Sequence, residues 1–478
     1  MARQGKDSVK DGKHSRAQAE REITYGHALR QALEWFARNE SFTDVRVHGN
    51  VGWTAVQLVV LAVLWVWSDH RRLTGAFTEA CDLAMEMFGS VAVTTYQGLT
   101  GALDSYAGQL LPQIWSQFHR LMEESARPHM RVGKWLPLAV DGSRVTTPRT
   151  ARNEQAFSAK NYGNGRKAKS RKKWRNKKRR SKRMSEPVKP QIWLTLIWHM
   201  CLKMPWCWKT GRSTDCERHH LAEMLQTLKF PSNTLFCGDA GFVGYALWKM
   251  VLDSGHHLLI RVGGNVRLLL KLGHARQKNG VVYLWPDEVR RGGQPPLVLR
   301  LLQFQGPRGK VYLVTSILSD SELSAKQAGQ LYRLRWGVEL QFRALKQTFG
   351  RRKLRSRSPE VALVELDWSL VGLWLIQLFA VKEQLKINGL PEHSSVALAM
   401  DVIQEAMRKW NCEFLEPNEL ICKLREATKD NYKRTSSKRA RYRPDFKDKP
   451  CATKPVWFLL RWRRGGHIKR LAVLPKNS

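Results

Sequence analysis

The chain is short of acidic residues: 41 Asp and Glu stand against 81 Lys and Arg, which gives a net charge of +40 over 478 residues. So large an excess is untypical of a soluble enzyme that acts on small molecules. It predicts a polyanionic partner, of which nucleic acid is the simplest and an anionic membrane surface the second.

Paired cysteines are also lacking. The eight cysteines show no C-x-x-C spacing, so they predict neither a disulfide framework nor a structural zinc site. Cys207, Cys216, His219 and His220 are the candidates for zinc, and their spacing does not favour it. The charged start of the sequence, residues 1–21, is unlike a signal peptide, and we therefore expect a protein of the reducing cytoplasm.

No apolar run reaches the roughly 20 residues that a membrane-spanning helix needs. The two longest runs, residues 51–67 and 368–381, are each interrupted by polar side chains. We expect both to form buried helices, and we expect no membrane attachment.

Changes of pattern divide the chain into five regions of an α/β protein. In order, they are a helical N-terminal region expected to contact DNA (1–130), an α/β domain in two pieces (131–265 and 319–356), a β-rich insertion between the pieces (266–318), a helical C-terminal region (357–430) and a basic tail (431–478).

Two short apolar runs of the α/β domain end in an acid. WLPLAVDGS leads to Asp141 and TLFCGDAGF leads to Asp239, as expected of buried strands. Open α/β sheets bind their ligands at the carboxyl ends of strands, so we expect both aspartates at such ends. The alternative is an ordinary Asp-Gly turn.

A third acid lies in a predicted helix over residues 331–349. At 100° per residue Tyr332, Arg335, Glu339 and Lys346 share a polar stripe about 60° wide, directly beside an apolar stripe. The alternative is a surface ion pair of Glu339 with a neighbouring arginine. Three carboxylates brought together would repel one another, and two divalent ions roughly 4 Å apart would relieve this repulsion and suit phosphodiester chemistry.

Basic segments predict contact with DNA. Between residues 166 and 184, 13 of 19 residues are Lys or Arg, among them Lys172, Lys173 and Arg175, and no acid interrupts them. Such a run is expected to order on a polyanion, although it could simply keep the protein in solution. The tail, residues 431–478, is similar: 15 of its 48 residues are basic and aromatic side chains lie between them.

The spacing of Tyr332, Arg335, Glu339 and Lys346 resembles the Y-R-E-K signature of bacterial insertion-sequence transposases of the IS-four family. DGSR at Asp141 and GDAGF around Asp239 are similar to the first and second acidic boxes of that family. The resemblance is close over residues 135–356 and loose in the flanks.

The resemblance implies an RNase-H-like catalytic domain with a DDE triad. Asp141, Asp239 and Glu339 would hold two Mg²⁺ ions, with Mn²⁺ as an alternative, and the other three signature residues would contact transposon-end DNA. The family cuts DNA at terminal inverted repeats and joins the freed 3′-hydroxyl ends to target DNA, in some members through a hairpin. A homodimer working on the nucleoid is expected, because two ends are handled together.

Trp285, in the β-rich insertion, is a candidate to receive a flipped base, and an ordinary core tryptophan is the alternative. Two other functions stay open on sequence grounds. One is an RNase-H-like nuclease that cuts without joining, and the other is a non-catalytic DNA-binding derivative. The presence of all three acids argues against the derivative.

Overall fold

A nine-stranded sheet lies at the centre of the protein. The computed structural model describes residues 24–91, 93–158, 190–262, 274–278, 280–285, 295–306, 309–416, 418–429, 458–462 and 468–473. The strands of the sheet are β1 (Leu136–Thr146), β2 (Gln191–His199), β3 (Met204–Gly211), β4 (Thr234–Gly238), β5 (His257–Val262), β6 (His274–Lys278), β7 (Val281–Trp285), β8 (Leu297–Gly306) and β9 (Gly309–Thr315). Within the tail, β10 (Phe458–Trp462) pairs with β11 (Ile468–Val473) as an antiparallel ladder.

The spatial order of the sheet is β3-β2-β1-β4-β5-β9-β8-β7-β6. Strands β1, β4 and β5 run parallel, whereas β2 and β3 are antiparallel. All five residues of β4 are buried, as expected of a parallel strand that is covered on both faces. The predicted mixed α/β fold is confirmed.

The β-rich stretch before the signature helix continues this sheet. Strand β9 pairs antiparallel with β5, and β8, β7 and β6 follow outward from it. These strands therefore extend the central sheet and do not form a sheet of their own.

Helices cover the sheet and build the N-terminal and C-terminal regions. They are α1 (Tyr25–Phe36), α2 (Ala55–Trp67), α3 (Leu73–Phe88), α4 (Tyr96–Ala126), α5 (Ala151–Phe157), α6 (Glu217–Thr227), α7 (Tyr245–Asp253), α8 (Ala325–Leu334), α9 (Gly337–Arg343), α10 (Pro359–Leu385), α11 (Val396–Arg408) and α12 (Glu419–Glu426).

The apolar helix α10 packs inside the protein. Its Trp374 ring stacks on Phe118 of α4 with the ring centroids 4.2 Å apart. In the described part of the chain α10 is the one helix long and apolar enough to cross a membrane, and 83% of its most apolar window is buried inside the protein. Every residue of α2 except Gln57 is buried as well, so the prediction of two buried helices is confirmed.

A buried carboxylate fixes the basic turn that precedes α10. Glu365 is fully buried and accepts hydrogen bonds from the backbone N–H groups of Arg355 and Ser356 at 3.0 Å, and from the Ser356 hydroxyl at 2.6 Å. Next to this turn, the Leu354 N–H donates to the Thr146 carbonyl at 2.8 Å. These bonds hold α10 and the end of β1 together.

The prediction of one continuous helix over residues 331–349 is wrong. Helix α8 ends at Leu334, α9 begins at Gly337, and residues Ala344–Thr348 form a π-helix. Gly337 packs so closely on the Trp198 ring of β2 that a Cβ there would lie 2.0 Å from a ring carbon. This close contact requires a glycine at the first residue of α9. The angular spacing read along one helix does not extend past Leu334.

Candidate active site

The two aspartates lie on neighbouring strands at the same level. The parallel register of β1 and β4 pairs Ala139 with Cys237, and each aspartate follows two residues later. Asp239 comes directly after β4, as predicted. Asp141 is in the middle of β1, and not at its end as expected, because β1 keeps pairing with β2 as far as Thr146.

Each aspartate accepts a local backbone hydrogen bond. Asp141 Oδ1 accepts from the Gly142 N–H at 2.9 Å, and Asp239 Oδ1 accepts from the Gly241 N–H at 2.7 Å. Burial raises the pKa of Asp141 to about 6, with the negative charges of Asp239 and Glu217 acting in the same direction. Burial is thus the main reason that the charged form of Asp141 is disfavoured, and the charge of Arg335 acts in the opposite direction.

Arg335 and Tyr332 border the aspartates. Arg335 is buried with Nη1 3.9 Å from Asp141 Oδ2, and its guanidinium carbon lies 5.4 Å from the Tyr332 ring centroid. Burial raises the pKa of Tyr332. Arg335 Nε and the Tyr332 hydroxyl have no hydrogen-bond partner in the described structure. Buried polar groups of this kind are usually paired, so their exceptions point to a ligand or water at the site.

Lys346 reaches β1 from the π-helix. Its Nζ lies 2.6 Å from the hydroxyl of Ser143, which is two residues beyond Asp141 on the same strand. Burial, together with the charge of Arg352, lowers the pKa of Lys346. Three of the four signature residues are therefore gathered along the strand that carries Asp141.

Glu339 is in a different position. It lies in the first turn of α9 and is exposed to solvent. No three His, Cys, Asp or Glu side chains in the described ranges form a group that could hold a metal ion, so Glu339 does not complete a cage with the aspartates in this conformation. Glu339 lies on the separate short helix α9, and not on the helix α8 that carries Tyr332.

The donor atoms of the aspartate pair suit a hard divalent cation, which prefers carboxylate oxygens. Asp141 and Asp239 are the residues that would hold it. A zinc site is not formed by the cysteine and histidine residues considered from sequence. Cys207 is buried in β3, and His220 Nδ1 lies 2.9 Å from the Thr195 hydroxyl.

Glu217, the first residue of α6, is a neighbour of the aspartates that the sequence did not reveal. An acid in the first turn of a helix is common because it favours the helix dipole, so no local pattern distinguished it. Lys172, Lys173 and Arg175 lie outside the described residues. So does the side chain of Trp285, whose backbone ends β7.

Comparison with known proteins bears on this site. Residues 207–375 match the family model described as "Transposase DDE domain", a range that contains Asp239 and Glu339 and begins after Asp141. Over these residues the chain is similar to a transposase DDE domain. Transposase InsG of insertion sequence element IS4 from Escherichia coli K12 is 27% identical over 277 residues, which are 55% of this chain and 56% of InsG. The predicted resemblance to the IS-four family is confirmed.

Other similarities to the DDE domain are more limited. The transposase of insertion sequence element IS421 from Escherichia coli is 41% identical over 68 residues, 14% of this chain and 18% of that protein. The chain spans little more than half of InsG and less of IS421 transposase. A piggyBac transposase in a synaptic complex with hairpin DNA aligns over 85% of this chain and 86% of its own at 12% identity. Its TM-score of 0.39 does not establish a common fold.

Proposed function

We propose that the protein is the DNA transposase of an insertion sequence. It would cut DNA at terminal inverted repeats and join the freed 3′-hydroxyl ends to target DNA, acting as a homodimer on the nucleoid of the cytoplasm. The observation that carries the proposal is the pair Asp141 and Asp239 at one level of adjacent parallel strands, with Arg335 beside Asp141. Asp239 and Arg335 lie within the range that matches the transposase DDE domain, and Asp141 precedes that range.

In this proposal Asp141, Asp239 and Glu339 hold two Mg²⁺ ions, for which Mn²⁺ can substitute. When bound, such ions make the attacking oxygen nucleophilic and stabilise the leaving oxygen of the phosphodiester. Glu339 has to approach the aspartates for this purpose, and the short helix α9, which follows the break at Arg335, is the segment that would carry it.

The cationic and phenolic side chains have a separate role in the proposal. Arg335 Nη1 lies 3.9 Å from Asp141 Oδ2, and phosphate oxygens of the transposon end would pair with Arg335 Nε, which has no hydrogen-bond partner in the described structure. Lys346, held on Ser143, would contact a phosphate of the same strand, and the buried Tyr332 hydroxyl would hydrogen-bond to the DNA.

The test uses the purified full chain with Mg²⁺ and DNA that contains the inverted repeats flanking its own coding region. The expected result is cleavage at the repeats, followed by joining of labelled 3′-hydroxyl ends to a second DNA. Cleavage without any joined product would instead favour a nuclease that does not rejoin. Binding without cleavage would favour a non-catalytic derivative.

A further inference from the structure

A cavity of about 290 Å³ lies beside the short helix α9. Residues of β2, α9 and the π-helix form one part of its wall, and residues of α10 and the start of α11 form another. The volume is close to the lower end of the range for small-molecule sites, which are also mostly apolar. The apolar part of the lining includes Trp198, Leu202, Leu340, Val381 and Pro391.

The charged residues of the lining all carry the same sign. Lys203, Arg343 and Lys429 line the cavity, and none of its lining residues is Asp or Glu. In the part of the chain that the structure describes, none of these three cations forms an ion pair. Partial burial, with the charge of Lys203 acting in the same direction, lowers the pKa of Lys429. An anion in the cavity would relieve this repulsion between like charges.

Backbone contacts fix the positions of the two lysines. The side-chain amide of Gln377 donates to the Lys203 carbonyl at 3.0 Å. Lys203 has φ 59°, in the left-handed region that glycine and asparagine adopt more readily. The Lys429 N–H donates to the His393 carbonyl at 2.6 Å, and its Nζ donates to the Glu392 carbonyl at 3.0 Å. An ammonium group has three donors, so Lys429 keeps donors for a ligand.

Further hydrogen-bond donors among the lining residues have no partner. Ser394 is 9% exposed and Trp198 is 1% exposed, yet the Ser394 hydroxyl and Trp198 Nε1 have no hydrogen-bond partner in the described structure. Val396 and Ala397, which also line the cavity, begin α11, so their N–H groups have no acceptor within that helix. The start of a helix favours an anion. Three cations and these donors suit the oxygens of a phosphate group.

We propose that this cavity binds a phosphorylated ligand, with the phosphate on Lys203 and Lys429 and an apolar part of the ligand against Leu340 and Val381. The inference goes beyond the proposed function and does not depend on a metal ion. A free nucleotide and the DNA backbone both offer a phosphate, and the experiment separates these two sources. Because Leu340 belongs to α9, the bound ligand would contact the helix that carries Glu339.

Titration calorimetry measures binding of inorganic phosphate and of deoxyadenosine monophosphate to the full chain, without divalent metal. A salt concentration of about 0.3 M screens exposed lysines and so weakens non-specific binding. Lys203→Asn and Lys429→Gln are each expected to raise the Kd for the nucleotide about tenfold or more. Asparagine suits the left-handed backbone at position 203, so that variant should fold. Lys229→Asn, at an exposed lysine outside the cavity, is the control and should leave the Kd unchanged.

Ala397→Trp tests the cavity without changing a charge. Ala397 is exposed and lines the cavity, so the larger side chain should block it and abolish nucleotide binding. Equal Kd values in wild type, Lys203→Asn and Lys429→Gln, or no binding of either probe to wild type, would overturn the inference. Displacement of the nucleotide by duplex DNA would identify the phosphate as that of DNA, and simultaneous binding would identify a free ligand. Asp141→Asn, which tests the proposed function, should bind the nucleotide as wild type does.

Discussion

Asp141 and Asp239 each lie two residues beyond Ala139 and Cys237, the last pair of the parallel ladder of β1 and β4, so the two acids are at one level of the sheet. Neighbouring strands are about 4.8 Å apart, so two carboxylates at one level are close enough to share a cation. The first five residues of β1 and all five residues of β4 are buried. The spacing of the two acids is thus set by backbone hydrogen bonds and does not depend on side-chain contacts.

Removing one carboxylate should separate DNA binding from DNA cutting. Asp141→Asn, Asp239→Asn and Glu339→Gln are each expected to bind inverted-repeat DNA with near wild-type affinity and to lose cleavage in Mg²⁺ by a factor of about 10³ or more. Gel-shift and cleavage assays on the same preparations measure both. Asp401→Asn, a change of an exposed acid on α11, is the control. Wild-type cutting by one of the three variants would refute the role given to that residue.

The stability of the protein without metal should depend on pH through Asp141. Burial raises its pKa from 3.8 to about 6, so between these values the folded state keeps a proton that the unfolded chain has lost. The free energy of unfolding therefore falls as pH rises through this window. From pH 4 to pH 7 the stability of Asp141→Asn relative to wild type should increase by about 1–3 kcal/mol.

Denaturant unfolding with a metal chelator at both pH values measures this difference. Asp401→Asn, whose carboxylate is exposed, should show no such change with pH. The prediction would be contradicted if the free energy of unfolding of Asp141→Asn differed from that of wild type by the same amount at pH 4 and at pH 7.

Loss of the Lys346 charge should weaken binding to all DNA sequences to a similar extent. Lys346→Met keeps the length of the side chain that rests on Ser143 and removes one phosphate contact. For Lys346→Met, the slope of the logarithm of the DNA association constant against the logarithm of the salt concentration is expected to decrease in magnitude by about one unit. Lys382→Met is the matched control, since Lys382 is also half-buried but lies over the Trp35 ring, 3.9 Å from its centroid. An unchanged slope for Lys346→Met would exclude a phosphate contact.

The junction of α8 and α9 should tolerate no side chain at Gly337. In Gly337→Ala the new methyl group would overlap the Trp198 ring, which is expected to cost about 1–3 kcal/mol of folding free energy. Gly101→Ala in α4 is the opposite case, because nothing lies within 4 Å of the added Cβ. That change should stabilise the protein by roughly 0.5–1 kcal/mol. Chemical denaturation of Gly337→Ala and Gly101→Ala measures the change in the free energy of unfolding in each variant. Equal changes in the two variants would contradict the close contact of Gly337 with Trp198.

The strands that carry the aspartates could be predicted from sequence because they are short apolar runs that end near an acid. A buried parallel strand has to be apolar on both faces, and that requirement leaves a local signal in the residues before Asp141 and Asp239. The equal level of the two acids is a matter of register between strands about 100 residues apart, which no local pattern encodes.

The break between α8 and α9 could not be predicted because its cause is distant in sequence. Gly337 is only a weak hint, since an isolated glycine inside a helix is tolerated. The contact with Trp198 of β2 decides it. Glu217 was missed for a similar reason: its place beside the aspartates follows from how α6 packs on the sheet, and its own neighbours in the sequence carry no sign of it.

Arg335, whose guanidinium lies beside Asp141, is synthesised long after Asp141. Arg335 follows Asp141 by nearly 200 residues, and a ribosome that adds about 5–20 residues per second needs on the order of 10–40 s to cover them. In the proposed enzyme a nascent chain, or a product truncated by a stop codon before Arg335, would have both aspartates and lack the groups that surround them. In the proposed enzyme such an unfinished product would not cut the DNA that encodes it.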